Sequence, residues 1–180
     1  DKMLNDLASV MFDEAALAAK CREMGQELTR DYEGKDLLVV GILKGSVMFF
    51  GDLVRQINVP LNIDFMVASS YGSGTETSGK VNIKKDLDAD IKGRHVLLVE
   101  DIIDSGVTMS CLMAELAKRE PASIRLCALL SKPSRRQVDV QIDYCGFEVP
   151  DEFLVGYGLD YAEKYRNLPV IGVLKREIYS

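Results

Sequence analysis

Residues 96–108 read VLLVEDIIDSGVT, and the order of residue types in this stretch decides the fold class. An uninterrupted apolar run ends in two adjacent carboxylates, Glu100 and Asp101. A glycine-containing turn then leads directly into a helix expected from about Met109 to Arg119. The run from His95 to Val99 carries no alternation, as expected of a strand covered on both faces, and the segment from Glu100 to Thr108 is expected to be a loop. A strand, a polar turn and a helix in that order make the repeating unit of an α/β fold. The turn also offers chemistry, because its backbone N–H groups and the positive end of the following helix can cradle a phosphate. Ser105 and Thr108 add hydroxyl donors. Carboxylates beside a phosphate repel it unless they face sugar hydroxyls or a divalent cation, so a sugar phosphate suits both halves of the motif. The competing reading is that Asp104, Ser105 and Thr108 simply cap the helix.

The same alternation extends outward from this unit. Leu17, Cys21, Met24 and Leu28 recur at helical spacing between Asp13 and Tyr32, and Asp13 and Glu14 favour the positive end of that helix. Leu37–Ile42 (LLVVGI) reads as a second doubly buried strand, followed by the turn Leu43–Ser46 and a helix through about Ile57. Strands are expected at Asn62–Ser69 and, after Pro121, at Ser123–Leu130. Between two strands, SSYGSGTETSG has no apolar periodicity and reads as a long mobile loop, or simply as a flexible connection. From Lys132 onward the alternation breaks, with short strands near Tyr144 and Phe153 and a last one at Val170–Leu174. This third, together with the N-terminal end of the chain, is expected to form a small hood. The expectation is one domain over residues 1–180, built on a mainly parallel twisted sheet with ligands at the carboxyl ends of its strands.

Composition narrows the function. A net charge of −6 and a pI near 4.9 argue against nucleic acid, whose binders rely on Lys and Arg to neutralise phosphates. Any attraction for an anionic ligand must therefore be local. No apolar run is long enough to span a membrane and no signal-peptide order is visible, so a cytoplasmic protein is expected, although a chain opening at Asp1 rather than Met weakens the targeting argument. Cys21, Cys111, Cys127 and Cys145 are widely spaced and are read as reduced thiols, three of them in core segments. The single histidine, His95, excludes a His-rich zinc site and sits at a strand start, where a structural role is expected.

Five ordered segments, LKGS (Leu43–Ser46), SSYGSGT, VEDIIDSG, LLSKPSRR and VPDEFLVGYGLDYAEKYRNLP, resemble the corresponding parts of hypoxanthine-guanine phosphoribosyltransferases of the type I family. The resemblance covers nearly the whole chain. It implies the type I phosphoribosyltransferase fold and a purine salvage enzyme, which transfers the phosphoribosyl group of phosphoribosyl pyrophosphate to a 6-oxopurine with the help of Mg²⁺. Relatives are usually dimers or tetramers, so a homo-oligomer is expected.

By that resemblance Lys44, Gly45, Glu100, Asp101, Asp104, Ser105, Gly106, Val107, Thr108 and Arg166 bind phosphoribosyl pyrophosphate. Glu100 and Asp101 face the ribose hydroxyls, and Asp104 acts as general base or hydrogen-bond partner at the purine N7. Val107 stands where many relatives carry a polar or basic residue, so only its backbone can serve the phosphate. A cis peptide is implied before Lys44. Lys132 donates to the purine O6, Phe153 stacks on the base, and Leu154 and Asp160 complete the base site. Glu100, Asp101 and Asp160 are the implied Mg²⁺ ligands, and Ser70 and Tyr71 belong to a lid. Read without the resemblance, Lys44 and Lys132 are ordinary solvated lysines, Phe153 is packing, and Asp160 is an N-cap of a short following helix. Two rivals start from the same features: a nucleotide-sensing regulator of the same fold, which lacks the basic face or helix-turn-helix it needs, and a receiver domain, whose acidic pair follows the first strand.

Overall fold

The structure is a computed structural model that describes residues 2–70 and 80–180. Among these, six strands form the main sheet in the order β4-β3-β2-β5-β6-β7: β2 Leu37–Ile42, β3 Leu61–Ser70, β4 Val81–Lys85, β5 His95–Ile103, β6 Ser123–Ser131 and β7 Tyr144–Glu148. All neighbours are parallel except the edge strand β4, which runs antiparallel to β3. The mixed α/β sheet flanked by helices is the fold class read from the sequence.

The uninterrupted apolar runs are explained by what covers them. Every residue of β2 is buried, and successive side chains point to opposite faces. Val39, Leu97, Val99, Cys127 and Leu129 meet helices α1 (Glu14–Tyr32) and α2 (Val47–Val54) on one face. Leu38, Val40, Val96, Leu98, Leu126 and Ala128 meet helix α3 (Val107–Ala117) on the other. Helix α1 is capped as its sequence suggests, with the Asp13 carboxylate accepting from the Ala16 N–H at 2.8 Å. Cys21, Cys111 and Cys127 are buried, Cys145 is exposed, and all four are free thiols. His95 Nδ1 lies 2.7 Å from Ser123 Oγ across the β5–β6 pair, a structural contact far from the strands' carboxyl ends.

Two corrections to the expected outline follow, and the hood is drawn from both ends of the chain as expected. Strand β5 does not stop at Val99 but continues through Glu100 and Asp101 to Ile103, because β6 pairs with it there, Glu100 opposite Ala128 and Ile102 opposite Leu130. The Tyr144 strand is not part of the hood. It is β7, at the edge of the main sheet, reached from β6 by a connection with only a short 3-10 turn at Pro133–Arg135. The hood itself is a separate three-stranded sheet, ordered β1-β9-β8, in which β1 (Leu7–Phe12) near the start of the chain joins β8 (Leu154–Val155) and β9 (Ile171–Leu174). A four-residue helix, α4 (Arg176–Tyr179), follows β9. No helix among the described residues is long and apolar enough to cross a membrane.

Candidate active site

The carboxyl ends of β2, β5 and β6 point to the same edge of the sheet, and the hood stands over it. Two adjoining depressions occupy this edge. The larger, about 510 Å³, is bordered by Asp101, Ile102 and Asp104 from β5 and its turn, Lys132 just past β6, and Phe153, Leu154, Leu159 and Asp160 from the hood. The smaller, about 220 Å³, is bordered by Glu100 and the turn residues Asp104, Ser105, Gly106 and Thr108. Ile102 and Asp104 belong to both. A cavity of about 530 Å³ between α1, α2 and the 157–169 segment touches Arg166 alone of the expected site residues, and neither the strand ends nor the Asp104–Thr108 turn open into it.

The turn is shaped for an anion. Gly106 is the N-cap of α3 and has φ +82°, a conformation natural to glycine, and no side chain caps the helix. The capping reading of Asp104 and Thr108 is thereby set aside, and Ser105 does no more than accept a 3.3 Å bond from the Val107 N–H through its Oγ. The helix start therefore presents N–H groups to the smaller depression. Val107, the first helical residue, is buried, so its side chain faces the core and its backbone faces the turn. Arg136 clamps the turn from outside. Its Nε donates to Asp104 O at 3.0 Å and its Nη2 to Ser131 Oγ at 2.7 Å. No local pattern marks this role, since Arg136 and Asp104 meet only through the β6–β7 connection.

Beside the turn lies the acidic pair. Burial pushes the Asp101 carboxyl up to about 6, against the pull of the Ile102 N–H that donates to its Oδ1 at 2.7 Å. Burial, reinforced by the neighbouring Asp101, raises Glu100 well above the ordinary carboxylate range. Two carboxyls held reluctantly charged want a cation or hydroxyl donors.

Gly45 approaches this pair so closely that a Cβ on it would fall 1.9 Å from Asp101 Oδ2. On its other side the Gly45 carbonyl abuts the Cα of Gly158 in the hood. The Leu43–Lys44 peptide is cis, as the resemblance implied. Lys44 Nζ pairs with Glu163 at 3.1 Å. Arg166 reaches the same cluster: Nη1 donates to Gly158 O at 2.6 Å, and Nη2 lies 3.1 Å from Glu163 and 3.5 Å from Asp160. Glu163, which sequence reasoning missed, therefore pairs with both cations. Arg166 and Lys44 keep its carboxyl below the ordinary range.

Asp160 is not an N-cap, for no helix follows it. Its Oδ2 accepts from the Glu163 N–H at 2.9 Å, in a run where Ala162, Glu163 and Tyr165 all have positive φ. Across the larger depression, Lys132 is largely covered, its side chain 12% exposed, and lies 3.8 Å from Asp151. Phe153 packs edge-on against Tyr161 and stacks with Tyr179. Ser70 ends β3 opposite Val81, whereas Tyr71 and the rest of the expected lid through Gly79 lie outside the described residues. Among the described residues, then, the structure gathers the expected site residues around one edge, towards which the end of β3 at Ser70 also points.

Comparison with known proteins gives the same picture. Residues 10–162 match the model of the phosphoribosyl transferase domain. The chain is 54% identical over 180 residues to a bifunctional protein TilS/HprT of Listeria monocytogenes, of whose length it spans 28%. It is 51% identical over 176 residues to the hypoxanthine-guanine phosphoribosyltransferase of Streptococcus pneumoniae, covering 98% of both chains. The crystal structure of a hypoxanthine phosphoribosyltransferase from Staphylococcus aureus superposes with a TM-score of 0.96 at 49% identity, covering 100% of this chain and 98% of that one.

Proposed function

Because the chain belongs to the phosphoribosyl transferase domain family, we propose that it is a purine salvage enzyme. On this reading it transfers the phosphoribosyl group of phosphoribosyl pyrophosphate to hypoxanthine or guanine, forming the nucleoside monophosphate and releasing pyrophosphate. The observation that carries the proposal is the meeting of the two depressions at Asp104: an uncapped helix start on one side, and a pocket with a covered lysine and an aromatic ring on the other.

The 5′-phosphate sits on the backbone of the Asp104–Thr108 turn, and the ribose hydroxyls face Glu100 and Asp101. Lys44, Gly45 and Arg166 hold pyrophosphate, Glu163 yielding its two cations to the incoming anion. In the larger depression the base stacks on Phe153 and takes a hydrogen bond from Lys132 at O6, with Leu154 and Asp160 at its edge. Lys132 has donors and no acceptor, so it accepts a 6-oxopurine and leaves the adenine amino group unpaired. A purine nitrogen then bonds to the ribose C1 as the C1–O bond to pyrophosphate breaks, through a transition state of oxocarbenium character. Asp104 hydrogen-bonds the imidazole ring at N7 and takes up its positive charge or its proton. Most of the rate comes from positioning and fixed charge.

Mg²⁺ fits the residues present. Glu100, Asp101 and Asp160 offer hard carboxylate oxygens, while no three-ligand cluster is preassembled among the described residues. That matches an ion carried by one or two carboxylates together with substrate phosphates. When bound, the ion neutralises charge on the departing pyrophosphate.

The same reading includes a single domain over residues 1–180, a cytoplasmic location and a dimer or tetramer. Incubation with phosphoribosyl pyrophosphate, Mg²⁺ and each purine in turn tests the function. Nucleotide should form from hypoxanthine or guanine and not from adenine, and no nucleotide from any 6-oxopurine would overturn the proposal.

A further inference from the structure

Tyr179 lies beyond the matched domain, which ends at residue 162, and beyond the motifs that resemble the family, yet it borders the base depression together with Asp104, Lys132 and Phe153. Its ring is a large aromatic left 36% exposed in a four-residue helix. The centroid is 4.5 Å from that of Phe153 with 28° between the planes, a stacked pair. Tyr161 closes the group, edge-on to Phe153 at 5.5 Å and to Tyr179 at 6.4 Å.

The backbone explains why the tail returns to this spot. The Leu174 N–H donates to Phe153 O at 2.8 Å and the Lys175 N–H to Asp6 O at 2.9 Å, which fixes the start of α4 beside residue 153. Helical bonds from Ile178 N to Lys175 O and from Ser180 N to Arg176 O then carry Tyr179 onto the Phe153 ring. Phe153 is only half-buried and leans on the hood core of Leu7, Val155, Tyr165, Leu168 and Leu174, while the two tyrosines are its ring partners.

We infer that Tyr179 is a positioning residue for the purine: by stacking on one face of Phe153 it fixes the ring whose other face receives the base. This rests on the purine transfer proposed above. A pre-set stacking wall reduces the ordering cost that binding would otherwise carry. The ring, not the hydroxyl, does this, so phenylalanine should replace it and an aliphatic side chain of similar bulk should not.

The test compares wild type with Tyr179→Ala, Tyr179→Leu and Tyr179→Phe, measuring KM for hypoxanthine, KM for phosphoribosyl pyrophosphate, kcat and thermal midpoint. Tyr179→Ala and Tyr179→Leu should raise the hypoxanthine KM about tenfold, within the range of a weakened base–aromatic stack, and leave the other KM unchanged within about twofold. Tyr179→Phe should behave as wild type. If the alanine variant does not fold, the leucine and phenylalanine variants decide alone. A leucine variant equal to wild type would reduce Tyr179 to packing and overturn the inference. So would a lowered KM in Tyr179→Ala, which would show the ring obstructing the base. A wild type inert towards every 6-oxopurine overturns the transfer reading and this inference with it, whereas an active wild type with unchanged variants overturns only the inference.

Discussion

Asp101→Asn should make the ligand-free protein more stable while destroying its function. The Asp101 carboxyl sits at about 6 in the folded protein against an ordinary value of 3.8, a displacement worth at most about 3 kcal/mol. The folded state holds the proton more tightly than the unfolded chain does. Between about pH 4 and 6 it therefore binds more protons than the unfolded chain, and stability falls as pH rises through that window. Above pH 6 the full cost of the buried charge is present. Asparagine is nearly isosteric, keeps an oxygen to accept the 2.7 Å bond from the Ile102 N–H, and leaves the contact with Gly45 intact. It also removes the charge that helps raise Glu100. Urea unfolding at pH 7.5 with chelator present should show a gain of about 1–3 kcal/mol for the variant, shrinking towards zero near pH 4. Adding Mg²⁺ and phosphoribosyl pyrophosphate should stabilise wild type more than the variant. A variant less stable at pH 7.5, or one with the same gain at pH 4 as at pH 7.5, would refute the account of a charge held against its environment.

Asp104→Asn should fold normally and lose roughly 10²- to 10⁴-fold in turnover, the usual range for a general acid or base. Wild-type turnover would reduce Asp104 to a lining residue. Lys132→Ala should erase most of the preference for hypoxanthine over adenine, seen as converging kcat/KM values, and an unchanged ratio would reject the O6 assignment. Gly45→Ala places a methyl group where Asp101 Oδ2 lies, so the turn or the carboxylate must move. Calorimetric titration with Mg²⁺ and pyrophosphate should then show binding weakened at least about tenfold, as expected when donor geometry is displaced. Retained affinity would mean that the close approach is not needed.

The centre of the sheet was legible because β2, β5 and β6 are buried on both faces and so are written as unbroken apolar runs. Strands β1 (LASVMF) and β4 (VNIKK) escaped notice, being half-exposed edges or hood elements in which few side chains are buried. The polar pair Glu100–Asp101 suggested a strand end, whereas pairing with β6 carries the strand past it, a tertiary effect no local pattern records. The turn from Asp104 to Thr108 and its glycine were readable from order alone. Roles of Lys44, Lys132, Phe153 and Arg166 came from resemblance, since a lone lysine or ring has no distinguishing local pattern. Arg136, Glu163 and Tyr179 were invisible because each acts on residues brought near only by the fold.

The hood joins the two extremes of the sequence, with Leu7 opposite Leu174 in its antiparallel pair. During synthesis β1 is therefore made before the main sheet and waits, unpaired, until β9 has followed. A nascent chain ending near residue 150 already contains the strands of the main sheet and the Asp104–Thr108 turn, but neither Phe153 nor strands β8 and β9 beside it. The turn after β5 can thus take shape before the hood, and the depression under Phe153 is completed only once β8 and β9 follow. Until then the apolar residues of β1 remain exposed to non-native partners, which makes this strand the vulnerable point of an otherwise locally wound chain.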